Sequence, residues 1–131
     1  MTTILVDHDI EGQAILLWAR ISAEGWSDLL SLRLVLFDNV GLPTDSSDRE
    51  VWRFAQRSKM VLLTGNRRMK EVDSLEKTIR DENTPYSLPV LTIGNVSRML
   101  DRGYLERCKL RLLEVMLYLD NYAGAGRVFI P

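Results

Sequence analysis

The chain has 131 residues, of which 46% are hydrophobic and 27% charged, the size and balance of one globular domain with a real core. Its 17 Lys and Arg residues meet 18 Asp and Glu for a net charge of −1, which excludes a binder that holds nucleic acid through a global excess of cations. One Cys and one His exclude an intrachain disulfide and a Cys/His zinc site within the chain, and the lone thiol fits a reducing, cytoplasmic location. No apolar run approaches the roughly 20 residues of a membrane helix. The opening MTTILVDHD lacks a charged leader and reaches acid by residue 7, so it does not read as a secretory signal.

In chain order, Ile4-Leu5-Val6 forms a first short apolar run that stops at Asp7. Ile10, Ala14, Leu17, Trp18 and Ile21 then recur at helical spacing, which predicts a helix over about 10–24. Asp9 is placed to cap it. Leu32 to Phe37 is a second run, followed by Asp38, Asn39 and Gly41 as turn formers. Ser47 and Glu50 make a capping box ahead of Val51, Trp52 and Ala55. Met60 to Leu63 is the third run, ending in Thr64-Gly65-Asn66. Asp73 and Glu76 repeat the box before Leu75 and Ile79. Pro89 to Ile93 is the fourth run, after which Asn95 caps a short helix carrying Val96, Met99 and Leu100.

A long helix is predicted after Gly103, with Leu105, Cys108, Leu112, Val115, Met116 and Leu119 on one stripe, ended by Gly124 and Gly126. Val128-Phe129-Ile130 reads equally as a last short strand or a docked terminus. Short, branched, continuous apolar runs are strands buried on both faces. Their alternation with amphipathic segments predicts a single three-layer α/β/α domain over 1–131, with a mostly parallel sheet and right-handed crossovers.

Ligands in open α/β sheets bind beyond the carboxyl ends of the strands. All four runs meet polar residues there: Asp7 and Asp9, Asp38 and Asn39, Thr64 and Asn66, and Asn95. The segment from Asp45 to Glu50, with Asp48 in its first helical turn, follows the second run. Carboxylates gathered on one rim repel one another, and a hard cation such as Mg²⁺ or Mn²⁺ relieves that repulsion through oxygen ligands. The pattern points to metal-assisted phosphate chemistry. Arg53, Arg57 and Lys59 before the third run, and Arg67, Arg68 and Lys70 after it, are candidate phosphate holders; residues 67 to 70 also read as a solvated face.

Glu50 reads as a capping partner and Asp48 fits the helix dipole as well as a ligand role. His8 reads as structural. Met60, Met69, Met99, Met116, Trp18, Trp26 and Trp52 read as core, and Cys108 as buried and inert. Tyr104, Tyr118 and Tyr122, near the stripe of the last helix, offer a dimer face, with ordinary packing as the alternative.

The segments ILVDHD, SSDREVWRFAQ and KMVLLTGNR, covering roughly residues 3–70, resemble the PIN-like domains, in particular short bacterial PIN-like proteins related to toxin ribonucleases. The resemblance implies a Mg²⁺- or Mn²⁺-dependent endoribonuclease with RNA as substrate. It places Asp7 and Asp48 as metal-holding catalytic acids, with Glu50 beside the second. Asp9 or Asp38 stands in reserve as a further ligand. The family pattern has Asp after L-L-T-x, where this chain has Asn66, an amide that ligates without charge. Thr64, Arg67 and Arg68 fall to substrate binding. The family link also implies an antitoxin-like partner protein, and the missing acid implies weakened activity or a non-catalytic interaction module. Asp7-His8-Asp9 and LLTGN further resemble haloacid-dehalogenase-like phosphatases. There Asp7 would be nucleophile, Asp9 acid/base and Thr64 phosphate ligand. The acidic pair that family carries after its fourth strand has no counterpart in TIGNVS.

Overall fold

The computed structural model describes residues 1–65 and 74–131. Five strands form one parallel sheet: β1 (Thr2–Val6), β2 (Leu32–Val35), β3 (Met60–Thr64), β4 (Val90–Thr92) and β5 (Arg127–Phe129). They lie in the order β2-β1-β3-β4-β5, every neighbouring pair parallel. The tail left open by the sequence is thus an edge strand, with Leu91 opposite Val128.

The helices are α1 (Glu11–Ala23), α2 (Trp26–Leu29), α3 (Phe37–Val40), α4 (Asp48–Arg57), α5 (Leu75–Glu82) and α6 (Arg102–Leu117), with 3-10 turns at His8–Ile10, Val96–Arg98 and Leu119–Tyr122. Side chains alternate across a strand, and the sheet uses both sets. Ile4, Val6, Val61, Leu63, Leu91 and Ile93 face a core built with α1 and α6 through Leu17, Ile21, Cys108 and Leu112. Leu5, Leu62 and Val90 face the opposite core with Val51, Trp52 and Ala55 of α4 and Leu75 and Ile79 of α5. The expected three-layer α/β/α arrangement is therefore present. Each fully buried Leu or Ile contributes about 1.5–3 kcal/mol. No helix of the described residues is long and apolar enough to cross a membrane.

Local chemistry explains where the elements begin. Ser47 accepts from the Glu50 amide at 3.1 Å and the Ser47 amide donates to Glu50 Oε1 at 3.3 Å, the reciprocal box expected for α4. Asn39 Oδ1 accepts from the Leu36 amide at 2.8 Å, closing the turn after β2.

Several boundaries differ from the sequence reading. Ser74, not Asp73, caps α5, accepting from the Lys77 amide at 3.2 Å; Asp73 lies outside the described residues. Asp9 does not cap α1, because the 3-10 turn intervenes and the cap position falls to Ile10, whose side chain makes no cap bond. The segment after Asn95 is a single 3-10 turn, and the Asn95 side chain accepts from Ser97 Oγ at 2.6 Å instead of capping a helix. The last helix starts before Gly103, because Asp101 accepts from the Tyr104 amide at 3.1 Å. It stops at Leu117, so Leu119 belongs to the following 3-10 turn. Gly124 comes later, at φ +82°, where a Cβ would stand 2.9 Å from the Pro85 carbonyl oxygen.

Candidate functional site

β1 ends at Val6, and the sheet order turns back on itself beside it, with β2 on one flank and β3, β4 and β5 on the other. Such a switch point opens a crevice, because the loops on its two sides leave toward opposite faces. Asp7 stands there. Its amide donates to the Leu63 carbonyl at 2.9 Å, carrying the ladder one residue past the strand. Its carboxylate Oδ2 accepts from Thr64 Oγ1 at 2.6 Å.

The Asp7 carboxyl is held above its ordinary pKa of 3.8, chiefly because burial disfavours its charge. The Thr64 hydroxyl opposes that shift. The negative charges of Asp9 and Asp48 add to it, and the Asp9 backbone amide weakly offsets them. Asp7 thus feels the charge of its near neighbour Asp9 and of Asp48, which is far from it in the chain.

Asp48 reaches the rim by a different route. It is the first residue of α4, and its Oδ2 accepts from the Leu75 amide at 3.1 Å, the first residue of α5. One carboxylate therefore serves two helix amino ends, where amides without helical partners favour negative charge. Leu75 is not legible in this role from sequence, since a backbone amide carries no residue signature. The neighbouring Ser74, fully buried and capping, was the available signal.

Gly65, next along from Thr64, lies under Val96: a Cβ there would meet Val96 Cγ1 at 2.5 Å and Ile10 Cγ2 at 3.2 Å. Gly65 therefore packs tight against the turn after β4.

The remaining candidates divide as follows. Asn66, Arg67, Arg68, Lys70 and Met69 lie outside the described residues. Asp9 is exposed on the 3-10 turn, near enough for its charge to reach Asp7. Thr64, expected to meet substrate, is fully buried, and its hydroxyl serves Asp7 instead of facing solvent. Asp38 is exposed on α3. His8 Nδ1 lies 3.2 Å from Glu11 Oε2, a structural contact. Glu50 is a capping partner.

The basic group before β3 does not flank this rim. Arg53 Nε donates to Glu82 Oε1 at 2.9 Å, tying α4 to α5. Arg57 lies against the Phe54 ring, and Lys59 immediately precedes the first residue of β3, at the opposite, amino edge of the sheet. Strand direction decides this: α4 runs away from the carboxyl edge, so its end arrives at the other one. Arg49, beside Asp48, pairs instead with Asp81 at 3.2 Å and with Glu82.

The tyrosines do not share a face. Tyr104 is buried, its hydroxyl accepting from the Asn95 amide at 2.8 Å; Tyr122 accepts from Arg111 at 3.0 Å; Tyr118 is exposed. Cys108 is buried as expected, and burial pushes its thiol up to about 11.

The donor set at the rim is carboxylate oxygen, which suits a hard divalent cation over a soft one. Among the described residues no group of three or more His, Cys, Asp and Glu is arranged to hold a metal ion. Asp7 and Asp48 are each held by a hydrogen bond at this edge. No family model, no curated protein and no solved structure matches this chain.

Proposed function

We propose that the chain is a PIN-like ribonuclease that holds Mg²⁺ or Mn²⁺ at Asp7 and Asp48 and hydrolyses RNA phosphodiester bonds, with activity reduced by the amide at position 66. The observation that carries this reading is the state of Asp7: a carboxylate at the switch point, anchored by Thr64 and under the field of two further acids. Mutually repelling carboxylates retained at a crevice are suited to a cation.

When bound, the cation supplies a polarised water and neutralises charge on the phosphate. Thr64 fixes the orientation of Asp7, and the Leu75 amide fixes that of Asp48. Asn66 serves as a neutral ligand or positions water, and Arg67 and Arg68 hold backbone phosphates. The test is cleavage of single-stranded RNA in Mn²⁺. Asp7→Asn is expected to lower the rate by at least the roughly 10–100-fold that loss of an outer-shell partner brings to a metal site. Equal rates for the two proteins would remove the proposal.

A second reading, a non-catalytic module that binds an antitoxin-like or other partner protein, is favoured by one fact: Asn66 brings no charge where the PIN-like pattern has an acid. A folded wild-type chain that leaves RNA intact at all Mn²⁺ concentrations selects it.

A further inference from the structure

On the face of the sheet that packs on α4 and α5, Leu62 and Val90 are core residues. Two residues further along each strand stand Thr64 and Thr92, on the same face because side chains alternate. The two threonines lie opposite one another in the β3–β4 register, and both are fully buried. Thr64 holds Asp7. Thr92 accepts from Arg127 Nη1 at 2.7 Å. Arg127 itself starts β5 opposite Val90, so its side chain leans about 7 Å along the sheet toward the carboxyl edge.

There its Nε donates to Glu76 Oε2 at 3.1 Å, and Nη2 lies 3.1 Å from the same oxygen. Glu76 is in the first turn of α5, next to Leu75, whose amide holds Asp48. A planar guanidinium engaged with two partners fixes direction as well as charge. Exposed ion pairs hold little, but the Arg127 side chain is only 10% exposed. At its other end α5 is tied to α4 by Arg49 and Arg53, through Asp81 and Glu82. Arg127 is the corresponding tie of the first turn to the sheet.

We propose that Arg127 is a positioning residue for Asp48. It acts through Glu76, which sets where the amino end of α5, and with it the Leu75 amide, meets the carboxylate. The paired threonines thus anchor both acids of the rim. Thr64 holds Asp7 directly, and Thr92 holds Asp48 through Arg127, Glu76 and Leu75. That Asp48 ligates a cation rests on the nuclease reading; the link from Arg127 to Asp48 does not.

Nuclear magnetic resonance of the full chain tests the link, with hydrogen exchange of the Leu75 amide as its readout. Exchange reports the local opening of that bond. Arg127→Met and Glu76→Ala are each expected to speed it several-fold, and the double variant no more than either alone, because all three break one connection. The Thr78 amide, bonded to Ser74 within α5, is expected to keep its rate. Mn²⁺ titration of the same variants is expected to show affinity lowered by roughly 10-fold or more, the effect of losing a residue that orients a ligand. Glu76 is 34% exposed, so its truncation leaves the core intact. A folded Glu76→Ala chain with wild-type exchange at Leu75 overturns the proposal, as does faster exchange with unchanged Mn²⁺ affinity. Faster exchange in the variants of a chain whose wild type binds no Mn²⁺ keeps the positioning role and removes the nuclease reading.

Discussion

Thr64 Oγ1 donates to Asp7 Oδ2 at 2.6 Å across the boundary between β3 and β1, joining residues 57 positions apart at the switch point of the sheet. The bond sets the orientation of a carboxylate that burial would otherwise leave under-satisfied.

The raised pKa of Asp7 makes stability depend on pH with a definite sign. A carboxyl whose folded pKa lies above its ordinary 3.8 holds its proton more tightly folded than unfolded. Between those two values the folded state carries the extra proton, so stability falls as pH rises through the window. Asp7→Asn removes the ionisation and keeps an acceptor for Thr64. Its melting temperature is expected to exceed that of the wild type at neutral pH, and the gap to close below pH 3.8. A lower melting temperature at neutral pH would mean that the charge stabilises the fold.

Thr64→Val keeps the shape of a buried side chain and deletes the donor. Loss of a hydrogen bond to a charged group removes about 1.5–3 kcal/mol. Urea unfolding at neutral pH should show a loss in that range, and Thr64→Ser should recover most of it. A Val variant as stable as wild type would show that the carboxylate finds another donor at no expense.

Asp48 combines a charge with a structural bond, and two substitutions separate them. Asp48→Asn keeps an acceptor for the Leu75 amide, so it should leave unfolding stability within about 0.5 kcal/mol of wild type. Asp48→Ala releases that amide and should cost about 0.5–2 kcal/mol, the range for a lost helix cap. Equal losses for the two variants would place the stabilising role in the charge.

Gly65→Ala drives a Cβ to 2.5 Å from Val96 Cγ1, and overpacking of this kind costs about 1–3 kcal/mol. Because the clash is with one branched side chain, Val96→Ala in the same molecule should recover stability relative to Gly65→Ala alone. Thermal melts of the three variants decide it. An unrecovered double variant would point to the backbone of the loop.

The central strands β1, β3 and β4 were legible because each is a short apolar run, as both faces of the sheet are covered, and the edge strand β2 because its run is broken only by the exposed Arg33. The α4 start was legible because its box is spelled in neighbouring residues. β5 stayed undecided, since three residues carry no periodicity and its partner β4 lies far along the chain. The early start of α6 was hidden by Gly103, which reads as a breaker in isolation, while Asp101 holds the first turn across it. At the rim, Asp7 stood out as an acid ending a buried run. The Thr64 and Leu75 bonds did not, because they depend on which strands become neighbours and on a backbone amide. The basic residues 53, 57 and 59 misled for a related reason: nearness in sequence to a strand does not say which edge they reach.

The most direct measurement of the central claim is a calorimetric titration of Mn²⁺ into the wild type, Asp7→Asn and Asp48→Asn at neutral pH. Saturable binding to the wild type at submillimolar Mn²⁺ is expected, with its loss in both variants, each of which remains folded. Binding of equal strength to all three proteins, or none to the wild type, would contradict it.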